Sequence, residues 1–330
     1  GASRESRDAL LLKREKRNAS SVWKEWSYEP MKKTNTSRSG MTLKQKEALT
    51  DFTFILLPLI SLIILMYYPI IRSFFISFFD WNLLTDPTYI GVENYKTLFA
   101  DEVFLTSLGN TFKWVIIYVP MSVVTSFLLA LLLDRKIKGA GFFRTFYYLP
   151  VVCPIVVVAL LWVWIYNTDY GILNYLLGVV GIDPIGWLTD EKYSLIAIAI
   201  MSTWKWAGYN MLIFLSALQG IDESLYEAAA LDGITPWQKL RYIKLPLIMP
   251  SIYFVMLTAV IDAFQMYTEI FIMTKGGPGY STYTVSYYLW SNAFEYSKMG
   301  YACAMAVILF IIIMTITLIQ NKFLNREYDT

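Results

Sequence analysis

Two groups of residues in this 330-residue chain have types and spacings that could do chemistry. The first is Ser202, Trp204, Lys205, Trp206, Tyr209 and Asn210, crowded into one stretch, with Asp262, Gln265 and Glu269 further on. Aromatic faces beside amide, hydroxyl and phenol groups suit a ring with apolar faces and a hydroxylated rim, which is the chemistry of a sugar. The competing reading for Trp204 and Trp206 is an interfacial belt, where membrane helices gather such rings. Asp262, Gln265 and Glu269 are three and four residues apart, a spacing that puts them on one face of a helix. The second group is Glu227, Ala228, Ala229, Gly233, Ile243, Leu245 and Pro246, inside the segment GIDESLYEAAALDGITPWQKLRYIKLPLIMP that starts at Gly220.

That segment reads as helix, corner, helix. Asp222 is placed to cap a first helix running to about Leu231, and Gly233 suits the left-handed position after a helix end. Thr235 and Gln238 have capping-box spacing, and Pro236 sits where a first helical residue needs no N–H. The alanines leave a small-residue surface that a partner can approach closely. A plain amphipathic connector is the blander reading, although connectors in bundles are usually shorter.

Other chemistries are excluded by composition. The chain has no His and only two cysteines, Cys153 and Cys303, both in apolar runs. This removes His-based triads, His acid–base catalysis, His metal sites, thiolate zinc sites and a disulfide framework. No GxxxxGK[ST] string is present, so the chain has no P-loop to cradle ATP phosphates.

The elements that must position these groups are membrane spans. Apolar residues make up 56% of the chain and charged ones 16%, against roughly 25% charged in soluble domains. Six stretches approach the roughly 20 apolar residues a helix needs to cross a bilayer. They are 52–71, 114–133, 145–168, 193–218, 247–273 and 299–321. An all-α integral membrane protein with six transmembrane helices is expected, because lipid offers no partners for open backbone. The segments assigned to the inner side carry 21 Lys and Arg against 6 on the other, which puts both termini in the cytoplasm. Residues 1–51 form a basic tail, with an interfacial helix possible in ALLLKREKR and the following Trp23, Trp26 and Tyr28. No small-residue cleavage site accompanies the first span, so signal-peptide removal is not expected. The end after 324 is a short inner tail. Lys205 lies inside the fourth stretch, where a Lys costs about 2.5–3.5 kcal/mol. It therefore requires a partner: Asp262 or Glu269, or an anionic group on a cargo such as a uronate.

The string Glu227-Ala228-Ala229, three residues, Gly233, nine residues, Ile243, one residue, Leu245-Pro246 resembles the EAA loop of ABC importer membrane subunits. The likeness is greatest to carbohydrate permeases of the maltose and glycerol-phosphate type. GVENYKTLF from Gly91, FFRTFYYLP from Phe142, DYGILN from Asp169, TKGGPGYSTYT from Thr274 and GYACAMAVILF from Gly300 extend it over about 52–324.

The resemblance implies a type I importer permease fold with coupling helices at 222–246. It implies that Glu227 pairs with a basic group on an ATPase, while Ala228, Ala229 and Gly233 allow close docking. Alignment on Ala217-Leu218-Gln219 places Ser202, Trp204, Lys205, Trp206 and Tyr209 on the sugar path. The implied partners are a second homologous permease, two copies of an ATPase carrying ATP and Mg, and an extracytoplasmic solute-binding protein. The implied location is a bacterial plasma membrane, and the implied cargo a sugar or oligosaccharide of the alginate or maltodextrin kind. An ion-coupled secondary transporter using Asp262 and Glu269 is the alternative; it would show inverted repeats, which the sequence does not display. An intramembrane enzyme lacks a nucleophile–base pair, and a bare anchor leaves the EAA string unexplained.

Overall fold

The computed structural model describes residues 43–135 and 138–324, so the expected interfacial helix in the tail and the end from 325 lie outside the described residues. Two units meet at Leu62 and Ile63. The first contributes helix α1 (Leu43–Leu62), with Pro58 inside it.

The second unit opens with a π-helical turn, Ile63–Tyr67, and α2 (Tyr68–Ile76). A two-residue ribbon follows, β1 (Phe79–Asp80) antiparallel to β2 (Thr88–Tyr89), in register Phe79 with Tyr89. Next come α3 (Glu93–Ala100) and the long α4 (Glu102–Leu133). Asp101 caps α4 by accepting from the N–H groups of Val103 (2.9 Å) and Phe104 (3.3 Å), two of the donors a helix start leaves open. Then follow α5 (Ala140–Val152), α6 (Ile155–Ile165), α7 (Ile172–Val179) and α8 (Glu191–Gln219). The 220–247 segment forms α9 (Glu223–Leu231), α10 (Pro236–Lys239), a π-helical turn Leu240–Lys244, and α11 (Leu245–Leu247). The chain continues as α12 (Met249–Phe264), α13 (Thr268–Met273), α14 (Val285–Trp290), a π-helical turn Ser291–Glu295, and α15 (Met299–Leu324).

Three of the helical stretches are long and apolar enough to span a bilayer: Asp51–Ile76, Glu102–Leu133 and Met299–Lys322. The stretch expected as span three is bent by 98° between α5 and α6, and the entry to span five is bent by 67° between 236–247 and 249–264. Counting each bent pair as one span gives five. The remaining expected span is α8, whose 29 residues measure about 43 Å at ~1.5 Å each. Lys205, Asn210 and the ring-bearing residues between them make it too polar to count by composition.

The bend in span three has a readable cause. Pro154 has no N–H, so the carbonyl of Pro150 loses its i+4 donor. Cys153, before that proline, is extended at φ −68°, ψ 136°. The break in span five, between α12 and α13, contains neither Pro nor Gly. It is held by side chains from the α14 start: the Thr284 hydroxyl donates to the Met266 carbonyl (2.9 Å) and Ser286 to that of Phe264 (3.0 Å).

The core is built around α8, which packs most extensively on α4 and next on α5. Gly208 makes the α5 crossing possible, since a Cβ there would lie 2.1 Å from the Tyr147 carbonyl oxygen. Gly300 plays the same part at the ribbon, where a Cβ would lie 1.9 Å from the Phe79 carbonyl oxygen. Trp114 and Tyr118 stack at 5.0 Å on α4 in the largest core cluster.

Candidate functional site

Helices α4 and α8 and the α12–α13 break together enclose an open polar cavity of about 300 Å³. Ser202, Trp206, Asp262, Gln265 and Glu269 line it, joined by Trp114, Tyr118, Met266, Tyr267 and Thr268. Five of the nine residues singled out on these spans therefore converge. The acidic residues do so by a different route from the one expected. Asp262 is on α12 and Glu269 on α13, with the chain non-helical between them, so they share a cavity without sharing a helix face. The Ser202 hydroxyl and the Trp114 indole N–H are buried at this wall without a hydrogen-bond partner. Such groups are costly unless something completes them.

The other four have different surroundings. Lys205 is 2% exposed and its ammonium donates to the carbonyls of Pro150 (3.1 Å), Val151 (3.4 Å) and Cys153 (2.8 Å). The expected pairing with Asp262 or Glu269 is thus corrected in its contacts: these carbonyls hold the ammonium, while Glu269 acts on it by charge alone. All three of its donors serve carbonyls freed at the α5–α6 bend, where a cation also complements the helix end. Its Nζ also lies 4.9 Å from the Trp206 ring centre. Asn210 donates to the Ser122 hydroxyl (3.2 Å) and ties α8 to α4. Trp204 packs on Trp162 at 5.6 Å and faces a separate apolar cavity of about 480 Å³, with Thr203 and Ala207. Tyr209 is exposed. Sequence reading missed Trp114, Tyr118, Tyr267 and Thr268; aromatic residues spaced four apart at 114 and 118 were the available signal.

The 220–247 segment is the helix–corner–helix its residues suggest. Asp222 accepts from the Ser224 N–H (2.9 Å), and this backbone bond, with a further one from the Ser224 side chain, holds its carboxyl below the usual range. Gly233 turns at φ +66°. Gln238 accepts from the Thr235 N–H (2.7 Å) and Thr235 from the Gln238 N–H (3.3 Å), completing the box. The Tyr226 ring lies under Lys239 (5.1 Å) and Lys244 (5.7 Å), and Lys244 pairs with Asp134 at the end of α4. Burial raises the Tyr226 hydroxyl, and Asp134 raises it further. Glu227, Ala228, Gly233 and Pro246 are exposed, Ile243 and Leu245 partly so, whereas Ala229 is buried. Leu231, 90% exposed, and the exposed Trp237 and Tyr242 extend this surface beyond the residues the sequence picked out.

Residues 122–329 match the family described as "Binding-protein-dependent transport system inner membrane component", and the chain belongs to that family. It is a membrane permease subunit of an ABC importer, with the ATPase on a separate chain. Among its relatives, the probable ABC transporter permease protein YurN of Bacillus subtilis (strain 168) is 35% identical over 273 residues, covering 81% of this chain and 94% of that one. The lactose transport system permease protein LacF of Rhizobium radiobacter is 34% identical over 292 residues, 86% of this chain and 96% of that one. A chain of the bacterial alginate ABC transporter, solved in complex with an alginate pentasaccharide-bound periplasmic protein, superimposes with a TM-score of 0.77 at 26% identity. That match covers 86% of this chain and 97% of the other.

Proposed function

We propose that this permease takes up a sugar or oligosaccharide handed over by a solute-binding protein, and that the cavity between α4, α8 and the α12–α13 break is on the cargo path. The observation that carries this is the wall itself. Four aromatic rings stand beside carboxylates and an amide. Sugar rings stack on such faces, and their hydroxyls donate to such acceptors. The sugar-transporting relative and the alginate-bound complex support the same cargo class. Lys205 is not the cargo-binding cation, because its donors are taken.

Six spans with both termini cytoplasmic are the arrangement the charge asymmetry favours, with α8 as a span tolerated for its protein-facing polar residues. The corner then lies on the cytoplasmic side. It docks on one of two ATPase subunits, which hold ATP and Mg, and Glu227 meets a basic group there. A second, homologous permease completes the membrane portion. ATP-driven closure moves the two corners and, through the Lys244–Asp134 pair, the foot of α4, switching the bundle between inward and outward packings. An ion-driven mechanism at Asp262 and Glu269 is the disfavoured reading.

The test is Glu227→Ala in the reconstituted importer. Insertion and assembly of the permease are expected to persist while ATP-driven uptake falls by about tenfold or more, the scale of one lost charge-assisted contact. Uptake by vesicles holding the permease without any ATPase would overturn the proposal.

A further inference from the structure

We infer that the polar cavity sorts cargo by charge, accepting neutral or amine-bearing sugars and rejecting those with carboxylate, sulfonate or phosphate groups. This rests on the reading of the cavity as cargo path. Among the described residues its lining holds two carboxylates, Asp262 and Glu269, and no Lys or Arg. Lys205, the basic residue next to Trp206, is outside the lining and is engaged by three backbone carbonyls; its charge acts on Glu269 without contact, which leaves Asp262 as the carboxylate without a basic neighbour among these residues. Four aromatic rings, Trp114, Tyr118, Trp206 and Tyr267, and the Gln265 amide share that lining, which suits a hydroxylated ring. The carboxylates then decide the charge of such a ligand: they accept from hydroxyl or ammonium donors, and they repel an anion brought within a few ångströms in a poorly solvated site. On this basis the chain differs in cargo from the alginate importer whose fold it shares.

The importer complex with its ATPase partner should be held in an ATP-bound state and titrated with three soluble trisaccharides. These are a neutral glucose trimer, a glucosamine trimer and a galacturonate trimer. Quenching of the cavity tryptophans reports binding without the solute-binding protein's own selectivity. The neutral and amine-bearing trimers are expected to bind at least about tenfold more tightly than the galacturonate trimer, the scale of one charge repulsion at partly screened distance. In D262N/E269Q that ratio is expected to shrink. Equal or tighter binding of galacturonate in the wild-type complex overturns the charge inference and leaves the sugar reading standing. Binding of none of the three overturns both. A ratio unchanged in the assembled double variant also overturns the assignment to these carboxylates.

Discussion

Single residues decide whether this chain packs at all. A methyl group at Gly208 would drive into the Tyr147 backbone. Gly208→Ala is expected to destabilise by about 1–3 kcal/mol, the range for overpacking, and to lower the melting temperature of the detergent-solubilised permease. Gly220→Ala, where the nearest atoms are 3.5 Å away, is the control and should change it little. Lys205→Met removes the ammonium from three carbonyls at the bend. Losing those bonds costs about 1–3 kcal/mol, so melting and sugar uptake should both fall. Lys205 was legible as an anomaly because a charge in an apolar helix demands a partner. The bend that supplies its partners was also encoded, in Pro150 and Pro154, but a search for opposite charge looks past backbone carbonyls. Asp262 and Glu269 were legible as a pair and wrong as a helix face. No residue between them signals a break; Thr284 and Ser286, distant in sequence, stabilise it.

At the scale of elements, the corner between α9 and α10 was the most readable part of the chain. Capping follows short-range rules, and each device the sequence offered is formed. Thr235→Ala should cost about 1 kcal/mol locally through loss of the box. Gly233→Ala should cost a similar amount, about 1–2 kcal/mol, by forcing a Cβ into the left-handed region. Amide exchange across 223–247 is expected to quicken in both variants while exchange in α4 is unchanged. Equal protection in wild type and variants would show that the corner is fixed by other contacts. The burial of Ala229 was not legible, because three consecutive alanines give no amphipathic contrast. The exposure of Leu231, Trp237 and Tyr242 was not legible, since an exposed apolar side chain reads as core until its surroundings are known.

At the scale of the whole molecule, composition announced the membrane, and the intact spans follow from it; the bent ones required knowledge of what satisfies their carbonyls. Asp101 joins three elements. It caps α4 and accepts from the hydroxyls of Tyr288 on α14 (2.6 Å) and Tyr301 on α15 (2.7 Å). Burial alone would raise its carboxyl, but the bonds from Tyr288, Tyr301 and the two backbone N–H groups outweigh burial and hold it below the usual range. With the folded pKa below the unfolded one, the stabilisation is complete above about pH 4 and is lost as pH falls through the folded value. Asp101→Asn should therefore lower the melting temperature at pH 7, and its difference from wild type should narrow on acidification below about pH 4. A difference independent of pH would mean the carboxylate charge is not what binds the tyrosines. Helix α8 runs unbroken between two jointed neighbours, the α5–α6 pair pinned to it by Lys205 and the α12–α13 pair hung from the α14 start. On this geometry, movement during the cycle is expected at the two joints, with α8 as the fixed shaft. Cysteine staples between α4 and α8 should consequently leave pumping intact, and a staple bridging either elbow should jam the machine in one stroke of its cycle.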